Sequence, residues 1–520
     1  MPKAQPIRSG LAAALAATAT GLLYGLAQPG FGAWPLAALC LVPLLAAMAG
    51  RGVLARAGLG WIAGTVATGI ATLWPATAGA IAYFGLRPTY ALLAGIAVGQ
   101  VFGAGSFMLF SGTAGDPFRG RALLAWTRIC VCWAGAEIVR ATLLTGLPWL
   151  FLGHALAERP DLIQGARLGG AYLVSLQLAA INAAILFAVR DRRIALGLGG
   201  LCAASFALSM AALPHAASGR AAVAGSVRTE TGNETPAPGE LDVLLVQGNI
   251  PNAWRGDPSR IADALGQLVD LTKTTRVIDL AIWPENAINF LLPVNDSVLG
   301  DALLPLGASP RYLLLGAPRT AIEAAGELRN SATLLGPERT TRGHHDKVHL
   351  LPFAEYVPDI ARAIGIEGST TGAGAAPSVL DAGGAVLGPL VCFEVAFPEI
   401  ARAQVRAGAT LLVNLSNDAW FGGTGAMEQH FVGAIFRAVE TGRPMLRATN
   451  TGITAAIDAW GRVQARLPTN VAGVLRVAVV PTTGTTLYTR LGDAPLVGAY
   501  AIVLVGALLE TVRARRRPSL

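Results

Sequence analysis

One cysteine in this 520-residue chain has neighbours that suit a nucleophile. Cys392 lies in GPLVCFEVAFPE, between an apolar run and two glutamates, whereas the other four cysteines fall in long apolar stretches. A thiol becomes a nucleophile when a nearby base or positive charge helps it to form the thiolate. A free cysteine in a run such as LVCF is also typical of a small buried hydrophobic residue. The distinction therefore depends on which residues could activate the thiol.

Two residues could activate it. Of the 40 basic residues only three are lysine, and Lys347 lies in HHDKVHLLPFAEYVP, a segment too apolar for a solvated face. A compact ammonium can bind a developing oxyanion in a way that a guanidinium does not. Glu285, in DLAIWPENAINF, follows a strand-like run, and the ends of such strands are where α/β folds bind ligands. A surface lysine and an acid at the start of a helix are the alternatives.

The chain as a whole is too apolar for one ordinary soluble globular protein. Hydrophobic residues make up 53% and charged residues 14% of the sequence, and the mean hydropathy is +0.51. About 20 apolar residues are needed for a helix to cross a bilayer. The sequence predicts eight such helices, in residues 10–28, 31–50, 57–80, 88–112, 122–145, 168–189, 194–213 and 495–512.

Arginines are distributed unevenly between the predicted loops. They concentrate after the second, fourth and sixth spans and at both termini, whereas the alternate loops hold few. The positive-inside rule then places both termini in the cytoplasm and the segment between the seventh and eighth spans outside. The net charge of +8 is explained by this topology, which removes the support for nucleic-acid binding. The first span reads as an uncleaved anchor.

The sequence divides into four parts. Residues 1–213 are predicted to be a membrane domain with seven helices, and residues 214–240, rich in Ala, Gly, Ser, Thr and Pro, a linker. Residues 241–485 are predicted to be an α/β domain, followed by the eighth helix and a basic tail in residues 486–520. The predicted strands are LDVLLVQGN, DLAIWPEN, RYLLLGAP, AVLGPLVCF, ATLLVNLSN, ITAAIDAW and GVLRVAVVP. The predicted helices are FPEIARAQVRAG and MEQHFVGAIFRAVETG.

The motifs around the three candidate residues resemble a known family. WPEN with Glu285, DKVHLLPFAEYVP with Lys347 and VCFEVAFPE with Cys392 look like the Glu-Lys-Cys triad of the nitrilase superfamily. Together with the predicted spans, NLSNDAWFG, HFVGAIFRAVETGRPMLRATNTG and TLLTGLPWL resemble bacterial apolipoprotein N-acyltransferases over nearly the full length.

This resemblance implies a fold and a reaction. The external domain would be a periplasmic αββα sandwich, attached to the bacterial inner membrane. The enzyme would move an acyl chain from a membrane phospholipid, through a Cys392 thioester, to the amine of a diacylglyceryl-cysteine apolipoprotein. In this ping-pong mechanism Glu285 is the base and Lys347 stabilises the oxyanion. Amine attack on a thioester runs downhill, so the mechanism needs no cofactor or metal.

The resemblance also suggests supporting residues. Glu355 would be a further acid beside the triad, and Glu394 would orient Lys347 or a substrate amine. Structural hydrogen-bond acceptors are the alternative for both. Phe393 stands where the family often has an aromatic hydroxyl and is a candidate for contact with substrate.

Aromatic and apolar residues favour membrane interfaces, so several are expected to line a lipid-facing entrance, with ordinary core packing as the alternative. These are Trp254, Phe290, Leu291, Leu292, Phe353, Tyr356, Trp420 and Phe421. Glu137 and Arg140, three residues apart in the fifth span, are expected to form an internal ion pair or to contact lipid headgroups.

Other functions fit the sequence less well. A membrane-tethered nitrilase-type amidase shares the triad but has no need of seven preceding spans, and a transporter would carry more polar residues in those spans. The sequence contains no G-x-S-x-G motif, so it does not indicate a serine hydrolase. A metal site is not favoured, because no further Cys or His cluster lies near His344, His345, Asp346 and His349.

Overall fold

The computed structural model describes residues 7, 9–73, 88–189, 191–211, 225–229, 236–251, 257–274, 276–288, 296–321, 327–362, 371–422 and 425–516. The chain forms two compact units. One comprises Met1–Pro214 with Arg490–Leu520, and the other comprises His215–Thr489. We call them the membrane unit and the catalytic unit.

The membrane unit consists of helices. Before residue 215 the described helices are α1 (Gly10–Ala27), α2 (Val42–Met48), α3 (Val53–Thr68), α4 (Pro88–Val98), α5 (Gly105–Thr113), α6 (Ala122–Thr142), α7 (Ala166–Ala188) and α8 (Arg192–Met210). The π-helical turns Gly69–Leu73 and Gly99–Ala104 extend α3 and join α4 to α5. In the described part of the chain, six helices are long and apolar enough to cross a membrane. Two shorter apolar helices, Trp34–Met48 and Ala494–Leu509, cover the second and eighth predicted spans, so the count of eight stays a prediction.

The second predicted span is interrupted for identifiable reasons. It begins as a 3-10 helix, Trp34–Ala38, and resumes as α2, and each piece has a proline in its first turn. Proline lacks the backbone donor that continues a helix. The side chain of Asn182 satisfies the interruption, since its amide donates to Ala37 O at 2.8 Å and its oxygen accepts from Leu41 N at 2.8 Å.

The helices of the membrane unit pack through small residues. A Cβ at Gly60 would lie 2.3 Å from Phe107 O, and one at Gly64 would lie 2.5 Å from Ala104 Cα. The backbone of α3 therefore touches the segment that leads into α5. Close backbone approach of this kind is how helices associate where lipid offers no hydrophobic driving force.

The catalytic unit contains two sheets built from the described strands. In chain order these are β1 (Val227–Thr229), β2 (Leu241–Gln247), β3 (Leu280–Ile282), β4 (Tyr312–Ala321), β5 (Glu327–Leu335), β6 (Thr341–Asp346), β7 (Leu380–Asp381), β8 (Val386–Val391), β9 (Leu411–Ser416), β10 (Met445–Thr449), β11 (Ala455–Ile457), β12 (Val463–Arg466) and β13 (Gly473–Val479). Over these residues, one sheet has the order β1-β13-β2-β3-β4-β5-β6 and the other β12-β11-β10-β9-β8-β7.

The two sheets face each other across a buried hydrophobic core. Val243, Ile282 and Leu314 of the first sheet pack in one buried cluster with Leu387 and Val413 of the second. Helices α9 (Ile261–Thr272), α10 (Asp296–Leu303), α12 (Pro398–Arg406) and α13 (Ala426–Thr441) cover the outer faces, and the chain also forms the short helix α11 (Asp359–Arg362). Ala264 and Leu268 of α9, for example, pack in a second cluster with Leu244 of β2. The predicted αββα sandwich is confirmed.

The structure adds elements that the sequence did not indicate. Strand β1 lies within the segment predicted as linker and pairs antiparallel with β13. Strands β5, β6, β10 and β12 and helices α9 to α11 were not expected. At the end of the catalytic unit the chain enters α14 (Leu487–Leu491) and α15 (Ala494–Arg516).

Candidate active site

Three strand ends present the candidate catalytic residues. Glu285 follows β3 and Lys347 follows β6. Strand β3 is parallel to β4, and β4, β5 and β6 are successively antiparallel, so β3 and β6 point the same way. Both residues therefore lie at the carboxyl ends of their strands, on the same side of the first sheet. Cys392 follows β8 of the facing sheet.

Lys347 lies between two carboxylates. Its Nζ is 2.8 Å from Glu355 Oε2 and 3.8 Å from Glu285 Oε1, and its side chain is only 2% exposed. Burial alone would lower the pKa of Lys347, but the charges of Glu355, Cys392 and Glu285 raise it well above the usual value. Glu355 is thus the nearer counter-charge of the ammonium, which leaves Glu285 the more available carboxylate.

Cys392 is buried, and its backbone adopts a left-handed conformation. Its φ is +53°, and it opens the 3-10 helix Cys392–Ala396. A non-glycine residue in this region is strained, and such strain is common at active sites. Burial raises the pKa of the Cys392 thiol, the charge of Glu285 raises it further, and Lys347 opposes both. The resting thiol is therefore neutral and needs a base before it can attack.

The turn that carries Glu285 is held by a glycine. Gly316 of β4 donates to Pro284 O at 3.1 Å and accepts from Ala287 N at 2.9 Å. A Cβ at this position would lie 2.6 Å from Pro284 O. Glycine allows the turn to pack directly on the strand, which fixes the carboxylate at the edge of the sheet.

Asn330 connects the two carboxylates, and the sequence analysis missed it. Its Nδ2 is 2.9 Å from Glu285 Oε1 and 3.0 Å from Glu355 Oε1. Its backbone oxygen accepts from Lys347 N at 2.8 Å. Asn330 lies among other polar residues in the first half of β5, ELRNSATLL, so the local sequence offered no signal for it.

Glu394 is a structural acceptor. Its carboxylate is fully buried and accepts from Val391 N at 2.7 Å and Val348 N at 2.6 Å. His345 Nε2 lies 3.0 Å from Glu394 Oε2. Although burial would raise the pKa of Glu394, His345 and these hydrogen bonds lower it. The carboxylate ties the residue after Lys347 to the turn of Cys392, so it favours a role in orienting Lys347 rather than contact with a substrate amine.

Glu355 combines both roles that were considered for it. Besides the ion pair with Lys347, its Oε2 accepts from Leu351 N at 2.8 Å. Burial would raise the pKa of Glu355, but Lys347 and the hydrogen bonds lower it.

The candidate lipid-facing residues have different environments. Trp254, Phe290, Leu291 and Leu292 lie outside the described residues. The side chain of Phe353 is 54% exposed, on a backbone with φ of +65°. Tyr356 is half-buried. Trp420 and Phe421 stack on each other with ring centroids 4.8 Å apart, and both are partly exposed.

Phe393 is buried in an aromatic cluster. Its ring meets Phe397 edge-on at 5.1 Å, and Phe397 stacks on His349 at 3.5 Å. These contacts favour core packing over substrate contact for Phe393.

Glu137 and Arg140 are buried within the membrane unit. Glu137 Oε1 accepts from Leu152 N at 2.7 Å and from Trp133 Nε1 at 3.1 Å. Arg140 Nη2 donates to Leu150 O at 3.2 Å. Both side chains hydrogen-bond the backbone at the start of the 3-10 helix Leu152–Leu156, and the choice between an ion pair and headgroup binding stays a prediction.

The histidine-rich segment before Lys347 serves other contacts. His345 binds Glu394, and Asp346 Oδ2 lies 2.6 Å from Arg319 Nη2 and 3.0 Å from Arg329 Nη1. Within the described ranges, no group of three or more His, Cys, Asp or Glu side chains could hold a metal ion.

Two family models match separate parts of the sequence. The carbon-nitrogen hydrolase family matches residues 243–487, and the apolipoprotein N-acyltransferase N-terminal domain matches residues 20–184. An apolipoprotein N-acyltransferase from Azotobacter vinelandii is 34% identical, over 98% of this chain and 98% of its own length. The chain belongs to the apolipoprotein N-acyltransferase family.

Two other members of that family are also similar to this chain over nearly its full length. Those from Geobacter metallireducens and Pseudomonas paraeruginosa are 33% and 32% identical, over 97% and 96% of this chain. A crystal structure of an amidase from Nesterenkonia sp. is similar to 51% of this chain and 98% of its own, at 20% identity and a TM-score of 0.36. With its apolar helices, the chain is a multi-pass membrane enzyme of the N-acyltransferase family.

Proposed function

We propose that this enzyme transfers an acyl chain from a membrane phospholipid to the N-terminal amine of a diacylglyceryl-cysteine apolipoprotein. The observation that carries the proposal is the convergence of Glu285, Lys347 and a buried Cys392 in a member of this family. The charges of both Glu285 and Lys347 act on the pKa of the Cys392 thiol. One group can act as base, one as oxyanion partner and one as nucleophile.

In the first half-reaction the thiol attacks the ester carbonyl of the phospholipid. Glu285 takes the proton of Cys392 as the bond from sulfur to carbon forms, and the oxyanion develops beside the ammonium of Lys347. The ester carbon–oxygen bond then breaks. The departing alkoxide takes the proton from Glu285, which leaves a lysophospholipid and an acyl thioester on Cys392.

In the second half-reaction the α-amine of the apolipoprotein attacks the thioester. The new nitrogen–carbon bond forms, Glu285 takes a proton from the amine, and Lys347 again binds the oxyanion. When the carbon–sulfur bond breaks, the thiolate of Cys392 recovers the proton from Glu285. The enzyme returns to its starting state and the product is an amide.

Glu355 allows the two carboxylates to play different roles in these steps. Because Glu355 pairs with Lys347 at 2.8 Å, it balances the charge of the ammonium without help from Glu285. Asn330 spaces the two carboxylates by donating to both. The base is thereby kept free for proton transfer while the ammonium stays in place for the oxyanion.

We also propose the orientation in the inner membrane. The arginine distribution supports cytoplasmic termini and a periplasmic catalytic domain at residues 241–485, connected to the membrane domain at residues 1–213 through residues 214–240, in which β1 already pairs with β13. Residues 486–520 return the chain to the cytoplasm. Exposed Phe353 and the partly exposed Trp420 are suited to meeting the lipid-anchored substrates.

A transfer assay with matched peptides tests the function. Purified protein in detergent micelles would be given phospholipid with a deuterated acyl chain and a diacylglyceryl-cysteine peptide. A second reaction would contain the same peptide with its α-amine acetylated. We expect deuterated N-acyl peptide from the free amine and none from the acetylated peptide. Deuterated fatty acid at the same rate in both reactions, with no acylated peptide, would show a hydrolase instead.

A further inference from the structure

A buried polar cluster lies behind the backbone of Cys392. Its ionisable members, Asp418, His430 and Arg447, are each at most 1% exposed. Asp418 Oδ2 accepts from Arg447 Nη2 at 2.6 Å. Asp418 Oδ1 accepts from Ser416 Oγ at 2.7 Å and lies 3.0 Å from His430 Nδ1. Buried charges are costly unless they are paired and hydrogen-bonded, as these are.

The cluster contacts Cys392 at its carbonyl oxygen. His430 Nε2 lies 3.2 Å from Cys392 O, and Asn414 Nδ2 lies 3.3 Å from the same oxygen. Arg447 in turn hydrogen-bonds Asn414 Oδ1. The side chains of His430 and Asn414, the latter held by Arg447, therefore hold the peptide of the nucleophile through groups that the triad mechanism does not use.

The contact between His430 Nε2 and the carbonyl is a hydrogen bond when Nε2 carries a proton, because a carbonyl oxygen can only accept. The neutral ring has this tautomer when Nδ1 accepts from Arg447 Nη2. The opposite nitrogen, Nδ1, lies 3.0 Å from Asp418 Oδ1 and 3.1 Å from Arg447 Nη2, which sets the orientation of the ring. In this tautomer His430 is a donor aimed at the Cys392 carbonyl from α13, an element separate from the 3-10 helix that Cys392 opens.

The left-handed backbone of Cys392 explains why such a donor matters. At φ of +53° the residue is strained by about 1–2 kcal/mol relative to an ordinary conformation. A relaxed backbone would swing the thiol away from Glu285, and small misplacements of reacting groups slow reactions strongly. Hydrogen bonds to the carbonyl hold the peptide in this conformation.

We propose that His430, with its ring oriented by Asp418 and Arg447, is a positioning residue that holds the Cys392 carbonyl and thereby aims the thiol. This inference rests on the proposed function of Cys392 as the nucleophile. It assigns His430 no contact with substrate.

Two variants of similar volume isolate the donor. His430→Gln keeps an amide that can donate to the carbonyl, whereas His430→Met does not. Thr441→Val is a matched control on α13, because it removes a buried hydrogen bond to Arg437 O that does not involve Cys392. The first readout is the rate at which iodoacetamide alkylates Cys392, followed by peptide mass. The second is the single-turnover rate of thioester formation at several phospholipid concentrations.

We expect His430→Met to slow both reactions by about five- to tenfold, the value of one hydrogen bond, with an unchanged half-saturating phospholipid concentration. His430→Gln should recover most of the rate, and Thr441→Val should match the wild type. Equal rates for His430→Met and the wild type would overturn the proposal, as would equal losses in the Gln and Met variants.

The alkylation readout separates this proposal from the proposed function. Alkylation needs no acyl donor, so a donor-dependent alkylation rate without any thioester would retain the positioning role and reject the acyl transfer. A thioester that forms equally fast in all variants would retain the acyl transfer and reject the positioning role.

A measurement on the wild type covers the case in which His430→Met does not fold. In protein labelled with ¹⁵N-histidine, the resonances lost in His430→Gln belong to His430. We expect the chemical shift of a protonated Nε2. An unprotonated Nε2 would overturn the proposal.

Discussion

Removing the charge of Glu355 tests the division of labour between the two carboxylates. In the wild type, Lys347 Nζ is 2.8 Å from Glu355 and 3.8 Å from Glu285. In Glu355→Gln the ammonium keeps a hydrogen-bond acceptor but loses its nearer counter-charge. It is then expected to move towards Glu285, to about the 2.8 Å separation of a direct charge-assisted pair.

The size of the effect follows from Coulomb's law. At an effective dielectric constant of about 20, the attraction between unit charges is about 4.4 kcal/mol at 3.8 Å and about 5.9 kcal/mol at 2.8 Å. Proton transfer to Glu285 therefore becomes about 1.5 kcal/mol less favourable. Full expression of this difference in the barrier slows acylation about tenfold, and half of it about threefold.

The assay is the single-turnover rate of acyl-enzyme formation in Glu355→Gln, with melting temperatures to confirm that the variant is folded. Glu338→Gln is the control, since Glu338 forms an exposed pair with Arg342 at 3.1 Å. An unchanged rate in Glu355→Gln would refute the reasoning. A loss above about a thousandfold would also refute it, because it would make Glu355 rather than Glu285 the base.

Three further predictions follow from the site and the topology. Lys347→Arg should abolish acyl-enzyme formation despite the retained charge, because a planar guanidinium cannot occupy the position of the ammonium; near wild-type turnover would show that Lys347 supplies only a positive charge and no specific oxyanion contact. Asp346→Asn should lower the free energy of unfolding by about 2 kcal/mol at pH 7. Burial alone would raise the pKa of Asp346, but hydrogen bonds from Arg319 and its neighbours lower it from 3.8 to about 2. The stabilisation is present above pH 3.8 and is lost as the pH falls towards 2, so denaturant titrations of variant and wild type should converge in acid. Reporter fusions should indicate cytoplasm after Arg193 and periplasm after Pro236, and a cytoplasmic signal at the second position would overturn the orientation.

The parts of the fold that follow local patterns could be predicted from the sequence. Runs such as LDVLLVQGN and ATLLVNLSN became β2 and β9, because continuous apolar runs suit strands buried on both faces. The three motifs could be identified because each combines a reactive side chain with a recognisable local segment. Strand β6, with the sequence TRGHHD, has no apolar alternation and is set by its pairing with β5.

The parts of the site that depend on long-range contacts could not be predicted. Asn330 meets Glu285 across 45 residues, and His430 meets Cys392 across 38. Neither residue stands out locally, since a polar residue in a strand or helix is ordinarily a surface residue. Residues 31–50 were predicted as one continuous span, whereas Pro35 and Pro43 interrupt it, and the acceptor and donor that satisfy the interruption come from Asn182, 141 residues away from Leu41.

The lifetime of the acyl-enzyme distinguishes a transferase from a hydrolase most directly. A hydrolase of this superfamily would discharge a Cys392 thioester to water, whereas an acyltransferase must hold it until a lipid-anchored amine arrives. Intact-mass measurements would follow purified protein after mixing with phospholipid alone, with Cys392→Ala and Glu285→Gln beside it.

We expect the wild type to gain the mass of one acyl chain on Cys392, to keep it over long times in detergent, and to lose it on addition of a diacylglyceryl-cysteine peptide as N-acyl peptide appears. Neither variant should gain the acyl mass. Rapid release of fatty acid without peptide, unaffected by adding it, would contradict the acyltransferase function and favour an amidase.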